Sequence, residues 1–428
     1  MMLVMCAVKF TCIQSYCKNV VVVIDPGHGG EAEGGTMDDR IERDIDLITA
    51  QAMKERLEMY EGVDVYITRD NNEDKEMTRK DRLEFAKKVD ADFLFSIHYN
   101  MSEYHTLFGS EVWIGSLGKY YVLGYQFATI EMEALTGMGL FDRGIKNKLD
   151  KDKSGEYYGI LKYAEEYDIP AVIIEHCHLD EERDSAFWNE ESYINFGRTD
   201  ADCVAKFFKL SSQSLGIDNS DFTNVNVQTP TTRVDRDETE PDYCDITVDD
   251  DGSESVTVNI SAYDQDNYIQ YYQYSTDGGN TFSRLEAWDD RSSDSQSFEI
   301  EKPVGSDLKL IVRALNKYDL YSESQMVTIE GLPLPEEEEV KEAEAPSENT
   351  YEDVEYPLEK TSKNVISDID VDPVFVFLAA FIVLFITLNI IFAVIISCNR
   401  KKRRKKRKKT QVRREDHDIL EDFDYDET

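Results

Sequence analysis

Residues 21–30 read Val21-Val22-Val23-Ile24-Asp25-Pro26-Gly27-His28-Gly29-Gly30. Four β-branched residues in a row predict a buried strand. Pro26 and Gly27 end it, and the glycines flanking His28 permit a tight turn with close backbone approach. A strand with no polar alternation must be covered on both faces, as strands of parallel sheets are. Working outward, strands are predicted at Val20–Ile24, Val63–Ile67, Phe93–Ile97, Glu111–Ile114 and Ala171–Ile174. Amphipathic helical patterns lie between them, roughly over 42–59, 78–89, 117–136, 155–167 and 190–209. This alternation predicts an α/β domain over 20–212, with a mostly parallel sheet and helices on both faces.

The chain has 428 residues, enough for two or three domains. Lys plus Arg total 47 against 87 Asp plus Glu, a formal charge of −40, which argues against nucleic-acid binding. Residues 213–240 are rich in Ser, Thr, Asn and Asp and read as a linker. From 241 to 332 the period changes to two: Val256, Val258 and Ile260 alternate with polar neighbours, as do Leu308, Leu310, Val312 and Ala314. Asp277-Gly278-Gly279-Asn280 reads as a hairpin turn. These short strands predict a small all-β sandwich, similar to immunoglobulin or fibronectin-type modules. Asp249-Asp250-Asp251-Gly252 lacks calcium-loop spacing and reads as a solvated turn.

Residues 333–372 are acidic and poor in apolar side chains, which predicts an extended linker. The 373–397 segment follows, with no charge from Val374 to Ser397. A helix of that length spans about 36 Å, enough to cross a hydrocarbon core of ~30 Å. Arg400 to Arg414 holds twelve basic residues and no acid, and the following stretch to Thr428 holds eight acids. By the positive-inside rule the 398–428 tail is cytoplasmic and everything before about 372 faces outward, at the cell membrane. The run Arg400–Lys409 is suited to contact anionic lipid heads. Residues 1–19 read as a weak or truncated export segment, since the apolar run Met2–Val8 has no basic residue ahead of it. The seven cysteines form no CxxC pair and no disulfide framework.

Candidate chemistry gathers at strand ends. His28 follows the first strand, His98 closes another in Ser96-Ile97-His98-Tyr99-Asn100, and Glu175 closes a third in Ala171-Val172-Ile173-Ile174-Glu175. In open parallel sheets, sites form beyond the carboxyl ends of strands. Glu42 opens the first amphipathic helix, and the loop 29–41 is long enough to bring it to the same edge. Two imidazoles and a carboxylate with one open position make a catalytic zinc set of one ion, bound by His28, Glu42 and His98. Glu175 then stands as a free carboxylate able to carry a proton from water to a leaving nitrogen. Taken singly, each histidine has a structural reading, and Glu42 has one as a helix N-terminal acid. The cluster Glu175-His176-Cys177-His178 is a rival ligand set, but successive strand side chains face opposite ways. His105 reads as a solvated loop residue, and His417 lies in the cytoplasmic tail.

On these residues the domain resembles the zinc-dependent N-acetylmuramoyl-L-alanine amidases of type 3. The matching blocks are VVVIDPGHGG (21–30), the Glu in RIERDIDL (40–47), VYITRD (65–70), DRLEFAKKVDADFLFSIHYN (81–100) and GILKYAEEYDIPAVIIEHCHLD (159–180). The resemblance implies zinc at His28, Glu42 and His98, with Glu175 as catalytic acid. It implies a peptidoglycan substrate, cleaved at the amide between the lactyl group of N-acetylmuramic acid and the L-alanine of the stem peptide. Arg82 falls where the family usually has an arginine. The chain departs from the family after the catalytic glutamate, where His176-Cys177-His178-Leu179-Asp180 replaces the usual Gly-Phe-Leu-x-Asn run, and in its predicted membrane span. Two alternatives stay open from sequence: a non-catalytic surface scaffold that keeps the fold, and another zinc peptidoglycan hydrolase such as a carboxypeptidase.

Overall fold

The computed structural model describes residues 18–72 and 76–335. The predicted membrane span and tail, most of the acidic linker and most of the export segment lie outside these residues. Among the described residues no helix is long and apolar enough to cross a membrane.

The first sheet has six strands: β1 (Val20–Pro26), β2 (Val63–Ile67), β3 (Phe93–Asn100), β4 (Ser110–Ile114), β5 (Asp142–Lys146) and β6 (Ala171–His178). Their spatial order is β2-β1-β3-β6-β4-β5. All neighbours run parallel except β4 and β6, so the sheet is mixed but mostly parallel. Helices α1 (Glu42–Leu57), α3 (Gly118–Gly137) and α5 (Glu190–Phe207) cover one face. There Val22, Ile24, Phe93, Phe95 and Ile97 pack with Met53, Leu57, Phe127, Phe196 and Phe207. Helices α2 (Arg79–Lys88) and α4 (Gly159–Tyr167) cover the other, where Val23, Leu94 and Ile173 meet Leu83, Ala86, Leu161 and Ala164. Each such large side chain contributes about 1.5–3 kcal/mol by leaving water. From β1 the chain goes first to β2 on one side and then to β3 on the other. The crevice between β1 and β3 is therefore a topological switch point, open at the carboxyl ends.

Two elements differ from the sequence reading. Strand β5, Asp-Arg-Gly-Ile-Lys, has one aliphatic residue and is not among the strands expected from sequence, yet Arg143, Gly144 and Lys146 are largely hidden from water. Helix α4 begins at Gly159 rather than near 155. Glu156 stays outside it, buried, and its carboxylate accepts from the Ser116 backbone N–H and hydroxyl at 2.8 and 2.6 Å.

The stretch 213–240 lies along the first domain. Arg233 reaches both oxygens of Glu165 at 2.9–3.0 Å, Gln126 donates to the Val225 carbonyl, and the Val234 N–H donates to the Ser116 carbonyl. Beyond it, β7 (Tyr243–Asp249), β8 (Ser255–Tyr263) and β10 (Ser295–Glu301) form one antiparallel sheet; β9 (Ile269–Ser275) and β11 (Leu308–Asn316) centre a second. Val256, Val258 and Ile260 share a core with Tyr272, Trp288, Leu310 and Val312, which makes the pair a sandwich. At the 277–280 turn, the Asp277 carboxylate accepts from the backbone N–H groups of Asn280 and Thr281, both at 2.9 Å. Phe108, Tyr271, Leu285 and Leu315 form an apolar seam where the sandwich meets the first domain.

Candidate active site

The turn after β1 is held by two buried guanidiniums. Arg82 donates to the Asp25 carboxylate at 2.5 Å, to the Pro26 carbonyl at 2.8 Å and to the His28 carbonyl at 2.6 Å. Arg69 donates to the Gly27 carbonyl at 2.6 Å. Asp25 is wholly buried and also accepts from Thr68 and Ser96. Every carbonyl from residue 26 to 28 is thus clamped, and His28 is fixed in the left-handed region at φ 58°.

Glu42 enters from the other side. A two-rung ladder, Thr36–Met37 against Arg40–Ile41, reverses the chain, and the Glu42 N–H bonds the Gly35 carbonyl at 2.9 Å. The Gly35 N–H returns a bond to Glu42 Oε2 at 2.6 Å. Glu42 Oε1 then lies 3.1 Å from His28 Nε2 and 3.0 Å from His98 Nδ1. The imidazoles meet edge to face, their centroids 5.1 Å apart. Gly34 has φ 69°, and a Cβ there would stand 2.5 Å from Glu42 Oε2 and 2.7 Å from His28 Nε2, so the loop leaves room only for glycine.

Asp46, one helical turn after Glu42, joins this group. Donor atoms of His28, Glu42, Asp46 and His98 all lie within 4.8 Å of one another. Asp46 is fully buried and neither carboxylate oxygen has a hydrogen-bond partner. Sequence reading missed it; the i, i+4 spacing from Glu42 was the available signal.

Glu175 stands one strand over. It is the register partner of His98 across β3 and β6, so both side chains leave the same face about 5 Å apart. Its Oε2 is buried without a partner. On its other side, its register partner across β4 is Glu111, a second acid the sequence reading did not single out.

The electrostatics separate these acids. Burial raises the Glu42 carboxyl, but hydrogen bonds from His28 and His98 outweigh it and hold the group well below the usual range. Burial lowers His98. Asp46 is pushed far up, first by burial and then by the Glu42 charge. Burial also raises Glu175, with the Glu42 and Glu111 charges adding to it.

The remaining histidines stand apart. His176 is buried, pointing to Asp200 at 3.0 Å and to the His98 carbonyl at 3.1 Å. His178 is buried against the Gly109 carbonyl, and burial drives it down to about 3. His105 is half exposed and contacts Asp180 at 2.6 Å rather than being freely solvated. Imidazole nitrogens and carboxylates are the donors zinc accepts. A buried carboxylate without a donor, as at Asp46, is a state a cation relieves. The residues present therefore fit a divalent ion.

Among known proteins, a family model described as N-acetylmuramoyl-L-alanine amidase matches residues 22–205. The sporulation-specific N-acetylmuramoyl-L-alanine amidase of Bacillus subtilis is 29% identical over 199 residues, covering 46% of this chain and 71% of that protein. The N-acetylmuramoyl-L-alanine amidase LytC of the same organism is 26% identical over 194 residues, covering 43% of this chain and 35% of LytC. A solved structure of Cwp6 from Clostridium difficile aligns with a TM-score of 0.41 at 27% identity, covering 45% of this chain and 30% of that one. The alignment thus spans only about a third of LytC and of Cwp6. Residues 22–205 are thus similar to N-acetylmuramoyl-L-alanine amidases in the segment that carries the site.

Proposed function

We propose that this chain is a zinc-dependent N-acetylmuramoyl-L-alanine amidase tethered to the cell membrane, with its amidase domain and sandwich facing the peptidoglycan outside. The observation that carries the reading is the convergence of His28, Glu42 and His98 at the switch point, with the unpartnered Glu175 beside them. His28, Glu42 and His98 would hold the ion, and Asp46 lies close enough to join or steady them. Bound zinc supplies Lewis acidity, drawing charge from the scissile carbonyl and easing deprotonation of water. Glu175 accepts one proton from the attacking water and delivers it to the alanine nitrogen as the C–N bond breaks. The products are a lactyl carboxylate on the muramic acid and a free L-alanine amine on the stem peptide.

The tether is argued from the uncharged 374–397 stretch and the basic run behind it. Arg400–Lys409 would sit at the anionic inner leaflet, with the acidic stretch before the span acting as a spacer. The test is digestion of purified cell wall by the full chain and by Glu175→Gln, with products identified by mass spectrometry. Stem peptides beginning with L-alanine are expected, and a loss of activity of about 10²-fold or more in the variant with zinc content unchanged. Release of single terminal residues would instead identify a carboxypeptidase. A zinc-free chain that releases nothing would identify a scaffold.

A further inference from the structure

The row of charged groups beside Glu175 does not end inside the amidase domain. Glu111 is 3% exposed, and its Oε2 accepts from Arg143 Nε at 2.9 Å and from Lys146 Nζ at 2.7 Å. Asn100 and Trp113 donate to its Oε1 at 2.9 and 3.1 Å. Burial alone would raise the Glu111 carboxyl, but the two cations outweigh it and hold it ionised. Arg143 and Lys146 are each 2% exposed. Within the amidase domain, two buried cations therefore face one of their bonded carboxylates, an imbalance that a low-dielectric interior does not tolerate.

The sandwich supplies the missing anion. Asp319, just after β11, accepts from the Arg143 Nη2 group at 2.9 Å. The Tyr271 hydroxyl, on β9, accepts from Arg143 Nη1 at 2.9 Å and donates to the Phe108 carbonyl at 2.8 Å. The seam of Phe108, Tyr271, Leu285 and Leu315 keeps water from this junction.

We propose that the β-sandwich is a working part of the amidase: Asp319 and Tyr271 are positioning residues that hold Arg143, thereby fixing Glu111 in the wall beside Glu175 and keeping the guanidinium off Glu175 itself. This rests on the reading of Glu175 as the proton carrier. Without Asp319 and Tyr271, two N–H arms of Arg143 lose their acceptors; Glu175 is the register partner of the Glu111 that Arg143 binds, and its buried Oε2 has no donor of its own. A Glu175 bound by a guanidinium cannot hand a proton to the alanine nitrogen. The change reaches the proton carrier, so the loss falls on turnover.

The experiment measures kcat and KM for stem-peptide release by the full chain and four full-chain variants, together with hydrogen exchange in β4 and β5. Asp319→Ala should lower kcat about ten-fold or more with KM within two-fold, speed exchange in both strands, and be largely restored by Asp319→Glu. Arg284→Ala breaks an exposed contact between the domains, 3.5 Å from Glu182, and should change neither constant. Should Asp319→Ala fail to fold, Tyr271→Phe, which removes only the hydroxyl, is expected to show the same turnover-selective loss. Wild-type kcat in Asp319→Ala or in Tyr271→Phe, or an equal loss in Arg284→Ala, would overturn the proposal. A wild-type chain that releases no L-alanine peptides would instead sink the amidase reading beneath it, and needs no variant to be seen.

Discussion

Glu131, in α3, is fully buried beside Asp200, and neither of its oxygens has a hydrogen-bond partner. Burial raises its carboxyl well above the ordinary value near 4.5, and the Asp200 charge raises it further. A group raised on folding contributes its stability fully below the unfolded value, and that contribution is lost as pH climbs toward the folded value. Glu131→Gln removes this dependence. The variant should therefore gain stability relative to the parent between pH 5 and pH 8, by at most about 1.4 kcal/mol per unit. Urea midpoints at several pH values check it, and a pH-independent difference would contradict it. At this scale the convergence of His28, Glu42 and His98 was legible because each ends a strand or opens a helix with no apolar role to play. Asp46 was not, since an acid four residues into an amphipathic helix resembles any solvated position until its neighbours are known. Nor was Arg82 assigned a role from sequence, because clamping carbonyls 54 and 56 residues away leaves no local pattern.

Helix α1 shows what an element must do to deliver a side chain. Its first residue is Glu42, and its buried face packs against α5 at Gly197. A Cβ on Gly197 would lie 2.7 Å from the Met53 N–H nitrogen and would strike the Thr49 carbonyl. Gly→Ala in a helix ordinarily gains about 0.5–1 kcal/mol, whereas overpacking a crossing costs about 1–3 kcal/mol. The backbone contacts decide the sign, so Gly197→Ala should be net destabilising in thermal or urea unfolding; a stabilised variant would refute this crossing. The strands that carry continuous β-branched runs were legible in sequence. β5 was not, because its polar side chains are buried by partners supplied from Glu111 and Asp319, which only the tertiary fold brings near.

Across the whole molecule, sequence periodicity distinguishes an α/β half from a β half, but it says nothing of how they meet. The 213–240 stretch was read as a linker from composition, yet Arg233 and Val234 bind it to the first domain, and Tyr271 and Asp319 carry the contact onward. Exposed polar composition describes what a segment offers water and not what it can also bond. The central claim remains that two imidazoles and one glutamate at the switch point hold the ion on which amide hydrolysis depends. Its most direct measurement is the zinc content, by atomic spectroscopy, of the purified full chain and of His28→Ala, paired with stem-peptide release from purified wall. One zinc per chain with L-alanine-ended peptides, and loss of both in His28→Ala, is the predicted result. Full zinc occupancy with intact release in His28→Ala would contradict the account.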